Sequence, residues 1–353
     1  MRRRGWDAVD VVLVTGDAYV DHPAFGVPLL ARLLESEGFR VGIVAQPDWR
    51  NGDDFRVMGR PRLFAAISAG AMDSMVNHFT AAKKLRRDDA YTPGGKAGAR
   101  PNRAVIAYTA AVKGAFKGLP TVIGGIEASL RRLAHYDYWD DKVRRSVLVD
   151  SKADLLLYGM AEKAIRDIAW RLHEGELIEN IDDVRGTARL AKEASEDSII
   201  LPSFDDVASD TDAYNRAFKL SADQTNPARG LTLAQSHGNR MVIVNPPALP
   251  LSEEELDAVY ALPFTRRPHP GYSEPIPAYD QIKFSITSHR GCFGGCAFCA
   301  ITHHQGKSIQ SRSEQSILQE IDRLAAQKDF RGTLSAVSDK HLRAHETQPV
   351  ISY

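Results

Sequence analysis

A regular alternation of strand-like and helix-like segments in the first half of the chain limits the fold more than any other feature. Residues 10–14 are a β-branched apolar run, as in a strand that is buried on both faces. Residues 23–38 carry an apolar helical stripe that ends at Gly38, and residues 40–45 form a second strand-like run. A β-α-β repeat of about 30 residues with a right-handed crossover predicts a doubly wound parallel sheet.

Three further strands and two helices continue the same rhythm. The strands are predicted at residues 63–67, 121–123 and 154–158, and the helices at residues 103–116 and 161–173. We therefore expect an α/β fold with a five-stranded Rossmann-like or flavodoxin-like sheet over roughly residues 8–175.

Composition places the chain among ordinary globular proteins. Of its 353 residues, 43% are hydrophobic and 25% are charged, which argues against a disordered chain or a disulfide-dense mini-protein. The 45 Lys and Arg residues balance 45 Asp and Glu residues, so no overall charge attracts the chain to nucleic acid or an anionic membrane. The basic residues 2–4 precede no apolar stretch of signal-peptide length, and no run of about 18 apolar residues occurs. These features predict a cytoplasmic protein of two or three domains.

A basic segment between residues 80 and 103 interrupts the alternation of predicted strands and helices. Its cations surround a Pro-Gly-Gly turn and are Lys83, Lys84, Arg86, Arg87, Lys96, Arg100 and Arg103. One interpretation is a loop that clasps a phosphate or a nucleic-acid backbone. The other, which we favour, is a solvated loop whose charge is balanced by Asp88 and Asp89.

Proline-rich composition marks a domain boundary near residue 275. Residues 241–244 predict one more strand, and a short acidic helix opens at Ser252. Beyond that helix, four prolines lie between residues 268 and 277, which is the composition of a linker. We therefore predict an amino-terminal domain over residues 1–275 and a second domain over residues 276–353.

The three cysteines of the chain fall within eight residues, at Cys292, Cys296 and Cys299. An odd number grouped so tightly does not form a disulfide framework. The spacing is C-x3-C-x2-C on a glycine-rich loop, which follows a strand predicted over residues 282–288. Thiolates select iron–sulfur clusters, zinc or copper(I), so the spacing predicts a metal centre. Three cysteines leave one iron of a four-iron cluster without a protein ligand.

This motif resembles the signature of the radical S-adenosylmethionine enzymes, in which an aromatic residue, here Phe298, directly precedes the third cysteine. The resemblance implies that Cys292, Cys296 and Cys299 hold a [4Fe–4S] cluster and that Phe298 belongs to the cofactor-binding loop. It also implies that the fourth iron binds S-adenosylmethionine, which is cleaved reductively to a 5′-deoxyadenosyl radical. The electron would come from a donor such as a flavodoxin or a ferredoxin.

Longer strings narrow the resemblance to the YgiQ-type (UPF0313) family. They occupy residues 122–132, 136–139 and 284–296, and the likeness extends from about residue 7 to about residue 332. It implies a Rossmann-like, cobalamin-binding-like parallel sheet followed by the start of a radical S-adenosylmethionine (βα) partial barrel. The substrate is not indicated by any residue of the sequence.

Three other assignments of the cysteines stay open from the sequence alone. A structural zinc ion could take His303 or His304 as the fourth ligand of a Cys3His site. The thiols could be structural or redox-sensing groups that bind no metal. The chain could also be a non-catalytic protein that binds an iron–sulfur cluster or a nucleotide.

The sequence features that favour a cobalamin-binding role for the amino-terminal domain are fewer and less specific. Gly124-Gly125 follows a predicted strand and allows a close approach at its carboxyl end, where open parallel sheets bind ligands. The usual cobalamin-ligating motif is D-x-H-x-x-G. Here Asp21 and His22 are adjacent and Gly26 comes one place late, so the motif argues against histidine-ligated cobalamin.

A patch of polar aromatic and acidic residues spans residues 135–141. It could line a cavity between the domains and bind substrate. Alternatively, its tyrosine and tryptophan rings are buried in an interdomain contact that keeps their polar ends hydrogen-bonded.

Only 54 residues follow Cys299. They predict a helix over residues 313–326 and a second strand near residues 330–332, and from about residue 333 the pattern no longer fits a strand–helix repeat. One βα unit cannot close a barrel and leaves an open strand edge. We therefore expect a truncated barrel with impaired catalysis.

Overall fold

The computed structural model describes residues 4–296 and 298–336. Its strands are β1 (Val11–Thr15), β2 (Val41–Ala45), β3 (Phe64–Ser68), β4 (Thr121–Gly124), β5 (His135–Asp137), β6 (Lys142–Arg144), β7 (Leu155–Leu157), β8 (Thr187–Ala191), β9 (Ile199–Leu201), β10 (Leu233–His237), β11 (Arg240–Val244), β12 (Ser285–Ile286), β13 (His289–Arg290), β14 (Gln310–Ser311) and β15 (Ser335–Ala336).

The helices lie between these strands. They are α1 (Gly26–Ser36), α2 (Asp53–Arg56), α3 (Ser74–His78), α4 (Ala104–Ala115), α5 (Gly125–Leu130), α6 (Val147–Ser151), α7 (Glu162–His173), α8 (Phe204–Ser209), α9 (Thr211–Asp223), α10 (Glu253–Ala261), α11 (Pro277–Ile282), α12 (Ile301–His304) and α13 (Glu314–Ala325). None of the described helices is long and apolar enough to cross a membrane.

Five parallel strands form one half of the main sheet, in the order β2-β1-β3-β4-β7. Each strand lies within one residue of its predicted position, and helices α1, α4 and α7 occupy the predicted crossovers. The strand order is flavodoxin-like, because β2 pairs with one edge of β1 and the later strands β3, β4 and β7 are added on its other edge. The predicted five-stranded doubly wound sheet is therefore confirmed.

Both faces of β1, β3, β4 and β7 are buried, which explains their continuous apolar sequences. In β1, Val12 and Val14 pack into the core layer that contains Tyr108 of α4. Val11 and Leu13 point the other way, into the layer formed with α1 and α7. Successive strand residues alternate between faces, so a strand covered on both sides needs an apolar residue at every position.

Four more strands extend the sheet beyond β7 in the order β8-β11-β10-β9. Their pairings are antiparallel except for the parallel pair of β10 and β9. The strand predicted at residues 241–244 is confirmed as β11. Strands β8 and β10 were not predicted, because their sequences, TARLA and LAQSH, mix polar with apolar residues.

The segment around the cysteines departs from prediction in its details. Helix α11 extends to Ile282, so the predicted strand over residues 282–288 is reduced to the two residues of β12. The second strand forms later than predicted, as β15, which pairs with β12 in parallel after the crossover helix α13. The predicted helix over residues 313–326 is confirmed as α13. Most of the predicted atypical tail, residues 337–353, lies outside the described residues, and the domain boundary near residue 275 stays a prediction.

Candidate functional site

The cysteine loop begins directly after β13 and turns sharply at Gly291. This glycine has a φ of 85°, and a Cβ there would lie 2.1 Å from the carbonyl oxygen of Ser308. The Gly291 N–H donates to Oε1 of Gln305 at 3.0 Å, and the Cys292 N–H donates to the Gly306 carbonyl at 3.2 Å. Only glycine combines this backbone angle with this close approach, so the entry into the loop is fixed by its sequence.

Two of the three sulfurs face the same small region of space. The position that a Cβ would take on Gly294 lies 3.4 Å from Sγ of Cys292 and 3.8 Å from Sγ of Cys296. Cys292 and Cys296 are half-buried, whereas Cys299 is buried. Cys299 is tied to the loop by its N–H, which donates to the Cys296 carbonyl at 3.0 Å. Phe298, which the resemblance places in the cofactor-binding loop, is 59% exposed.

The arrangement of these thiols is compatible with a bulky cluster that the sulfurs surround. Among the described residues, no three histidine, cysteine, aspartate or glutamate side chains converge on one ion-sized position. In a cubane cluster each cysteine binds a different iron, so the sulfurs need only surround a bulky group. Glycine at position 294 keeps the space between two of these sulfurs open.

The two candidate fourth ligands of a zinc site contact other parts of the molecule. His304 Nδ1 lies 3.0 Å from Oγ of Ser129 in α5, and the His303 ring packs against Phe218 of α9. Burial lowers the pKa of His304 to about 4, which keeps the ring neutral. The described residues therefore do not form the Cys3His arrangement that was one of the sequence-based alternatives.

A buried ion pair anchors the strand that precedes the cysteine loop. Arg290 of β13 pairs with Oε1 of Glu162 at the start of α7, and its Nε donates to the Tyr260 hydroxyl at 3.1 Å. Burial, the largest single influence, lowers the pKa of Arg290, but the Glu162 carboxylate and the Tyr260 hydroxyl together more than offset it, so the pKa is raised. The pair joins the cysteine loop to the amino-terminal sheet across 128 positions of sequence.

A second buried network lies behind the same strand. Arg312 stacks on the Tyr260 ring, with its guanidinium carbon 4.5 Å from the ring centroid. It also donates to the Thr287 carbonyl at 3.0 Å and pairs with Glu320 of α13, which pairs in turn with Arg266. Neither network was predicted, because the partners of a buried charge lie far away in sequence and no local pattern marks them.

A cavity of about 260 Å³ opens at the carboxyl ends of β1, β3 and β4. Leu29 of α1, Ile165 of α7 and Ile282 of α11 contribute to its apolar wall. His289 and Arg290 line it on the side of the cysteine loop. It lies between β1 and β3, where the direction of strand addition reverses, and open α/β sheets bind their ligands at this point.

The basic segment at residues 80–103 does not form a simple solvated loop. Arg100 is buried, and its guanidinium lies 3.0 Å from Asp17 after β1 and 3.1 Å from Asp89. Arg100 Nη1 also donates to the Ala69 carbonyl after β3, at 3.0 Å. The interpretation of Asp89 as a solvated counter-ion is therefore wrong, because Asp89 is itself buried and binds Arg100 inside the fold.

The patch at residues 135–141 belongs to the hairpin of β5 and β6. Its Asp137 is buried and paired with Arg103 and Arg144. The Tyr138 hydroxyl donates to the Ala81 carbonyl at 2.7 Å, and its ring lies 4.8 Å from Nζ of Lys83. These contacts join the patch to the basic segment.

The Asp21–His22 segment does not present a histidine to a corrinoid. His22 is 1% exposed, its Nδ1 accepts the Ala24 N–H at 3.1 Å, and its Nε2 lies 2.9 Å from Nη1 of Arg266. Asp21 forms an ion pair with Arg32 at 2.5 Å. Both ring nitrogens of His22 are engaged, so the residues present do not fit histidine-ligated cobalamin.

Comparison with known proteins places the chain in a family. Residues 1–285 match the family described as Radical SAM N-terminal. A UPF0313 protein of Geobacter sulfurreducens is 62% identical over 338 residues, which are 95% of this chain and 56% of that protein. A UPF0313 protein of Methanocella arvoryzae is 53% identical over 339 residues, covering 96% of this chain and 57% of that protein. The chain spans about half the length of the curated relatives it matches.

A solved structure shares the architecture. It is the radical S-adenosylmethionine methyltransferase TsrM of Kitasatospora setae with cobalamin and a [4Fe–4S] cluster bound, at a TM-score of 0.50 and 15% identity. The match covers 97% of this chain and 50% of TsrM, and at this identity it shows the fold alone. Because the family match covers four-fifths of its length, the chain belongs to the Radical SAM N-terminal family, and it is similar to UPF0313 proteins along nearly all of its sequence.

Proposed function

We propose that Cys292, Cys296 and Cys299 hold a [4Fe–4S] cluster and that S-adenosylmethionine binds the iron without a cysteine ligand. The observation that carries the proposal is the glycine loop itself, in which two sulfurs border the space left open at Gly294. When bound, such a cluster supplies the electron that cleaves S-adenosylmethionine to a 5′-deoxyadenosyl radical. The reductant is proposed to be a small electron carrier, such as a flavodoxin or a ferredoxin.

The residues around the loop hold it in place for this role. Gly291 sets the direction of the loop, and the Arg290–Glu162 pair fixes β13 against α7. Gln305 of the segment after α12 accepts the Gly291 N–H, so the two ends of the cysteine segment are joined. These contacts restrict the conformations of the loop, which reduces the loss of chain entropy on cluster binding.

Anaerobic reconstitution with iron and sulfide tests the cluster. We expect about four irons per chain and the Mössbauer spectrum of a [4Fe–4S] centre, with both lost in a Cys296→Ala variant. Ser308→Ala, which keeps the backbone carbonyl next to Gly291, is the matched control and should retain the cluster. Stoichiometric zinc without iron in the wild-type protein would contradict the proposal.

Product analysis tests the second half of the proposal. Reduced, reconstituted protein with S-adenosylmethionine is expected to form 5′-deoxyadenosine, measured by chromatography. An intact cluster that forms no 5′-deoxyadenosine under the same conditions would favour a non-catalytic iron–sulfur protein over an enzyme.

A further inference from the structure

The cavity at the carboxyl ends of β1, β3 and β4 has a chemistry of its own, separate from the cysteine loop. Its walls are largely apolar, and its charged side chains lie in two places. One is the loop after β1, where Asp17 lies. The other is the start of α7, where Glu162 meets Arg290.

The first polar place is closed to anions. In open α/β sheets the backbone N–H groups after the strands commonly bind phosphate. Here three of them are already occupied by side chains: Asp17 N–H by Thr15 Oγ1 at 3.2 Å, Gly70 N–H by Ser68 Oγ at 3.1 Å, and Ala71 N–H by Asp17 Oδ2 at 2.6 Å. The Asp17 carboxylate thus occupies the region where a ligand phosphate would otherwise bind.

The charges around this place also disfavour an anion. Asp17 and Asp89 both bind Arg100, so the buried group carries one more negative than positive charge when the three side chains are ionised. At the other end, Glu162 and Arg290 offset each other. A ligand with a carboxylate or phosphate would meet uncompensated negative charge in a region of low dielectric constant.

The second polar place contains a carboxylate oxygen that accepts no hydrogen bond from the described residues. Glu162 Oε1 receives Arg290, but Glu162 Oε2 is buried and has no hydrogen-bond partner among the described residues. The Glu162 side chain is 6% exposed and lines the cavity. Buried carboxylate oxygens are rarely left unpaired, so a small turn of the Glu162 side chain toward the cavity would let Oε2 accept a hydrogen bond from a bound molecule.

The cavity also lies beside the cysteine loop. Arg290, which lines it, is separated from Cys292 only by Gly291. Gln305 lines it as well and accepts the Gly291 N–H. A molecule in the cavity would therefore lie next to the base of the loop to which we assign the cluster.

From these features we infer that the cavity binds the substrate, a compact and largely apolar molecule that carries an amino or hydroxyl group and no anionic group. The identification of this molecule as substrate rests on the proposed function, whereas its binding does not. The volume of about 260 Å³ accommodates a single-ring molecule.

Ligand-observed NMR with three matched probes tests the chemistry of the cavity. The probes are 2-phenylethylamine, 2-phenylethanol and 3-phenylpropionate, added to the full chain. We expect the amine and the alcohol to bind at least tenfold more tightly than the carboxylate. Equal or tighter binding of 3-phenylpropionate, or no binding of any probe at millimolar concentration, would overturn the inference.

Two variants locate the binding. Val27→Phe on α1 fills the cavity from a partly buried position and should weaken amine and alcohol binding at least fivefold. Glu162→Gln should weaken 2-phenylethylamine more than 2-phenylethanol, because the amide lacks the charge that favours an ammonium group. Probe binding that Val27→Phe leaves unchanged overturns the assignment to this cavity. So does one-to-one binding of hydroxocobalamin or flavin mononucleotide that Val27→Phe abolishes.

The same titration in a Cys292→Ala/Cys296→Ala/Cys299→Ala variant separates this inference from the proposed function. Retained amine binding in that variant supports the cavity whether or not the wild-type protein forms a cluster. A wild-type protein that forms the cluster and cleaves S-adenosylmethionine but binds no probe would leave the proposed function standing and overturn the cavity assignment.

Discussion

Single residues decide the geometry at both polar sites. Gly291 has the positive φ and the 2.1 Å approach that no other residue tolerates. At the other site, the Asp17 carboxylate accepts hydrogen bonds from the Ala71 N–H and the Arg100 guanidinium, which hold the loop after β1 in place. The cysteines were predictable from their spacing, because the motif is local. Asp17 and Glu162 were not predictable, since their roles depend on partners more than 50 positions away.

Replacing Gly291 by alanine should disrupt the cysteine loop. The φ of 85° alone costs about 1–3 kcal/mol for a residue with a Cβ, and the clash with the Ser308 carbonyl adds to it. We expect less bound iron after reconstitution than in the wild type. Gly114→Ala, within α4 and with no atom near the new Cβ, is the control and should bind iron normally. Equal iron content in both variants would show that the loop tolerates a side chain at Gly291.

The stability of the protein should depend on the titration of Asp17. Burial raises the pKa of Asp17 to about 6, although Arg100 partly opposes this. Because the pKa in the fold lies above the ordinary value of 3.8, the folded state holds the proton more tightly than the unfolded chain does. The contribution of Asp17 to the free energy of unfolding therefore falls as pH rises from about 4 to about 6.

Urea denaturation of the wild type and an Asp17→Asn variant at several pH values measures this effect. The free energy of unfolding of the wild type should decrease relative to that of the variant across this window and then level off. A difference that stays constant, or that grows in favour of the wild type with rising pH, would contradict the assignment.

At the scale of elements, apolar content determined which strands could be predicted. Strands β1, β3, β4 and β7 are buried on both faces, and their continuous apolar runs identify them. Strands β8 and β10 mix polar and apolar residues, so their existence follows from pairing with β7 and β11 and not from local sequence. The short β12 and β13 are set by tertiary contacts of the same kind, which is why the predicted continuous strand was too long.

Breaking the Arg290–Glu162 pair should detach β13 from α7. Removing one partner of a buried ion pair costs about 3–5 kcal/mol, because it leaves the other charge buried and unpaired. Arg290→Met should therefore lower the free energy of unfolding and speed hydrogen exchange of the amides at residues 291–296. The double variant Glu162→Met/Arg290→Met should be less destabilised than Arg290→Met alone. A double variant that is further destabilised would show that the pair is not the main anchor.

At the scale of the whole molecule, we expect the main sheet to provide most of the stability, whereas the cysteine loop provides the proposed chemistry. The two large core clusters flank the parallel strands, whereas the cysteine loop is linked to them by ion pairs and by short strands of two residues. Local opening costs least where few apolar contacts are buried.

Native-state hydrogen exchange should reflect this division. We expect the amides of β1, β3 and β4 to exchange most slowly and those of residues 285–296 at least tenfold faster. Cluster reconstitution should slow exchange in the second group alone. Uniform protection along the chain, or protection of the sheet by the cluster, would contradict this distribution of stability.

Electron paramagnetic resonance of the reduced, reconstituted protein tests the central claim most directly. If three thiolates leave one iron open, adding S-adenosylmethionine should shift the g values of the [4Fe–4S] signal in the wild type. A cluster signal that S-adenosylmethionine leaves unchanged at saturating concentration would contradict the claim.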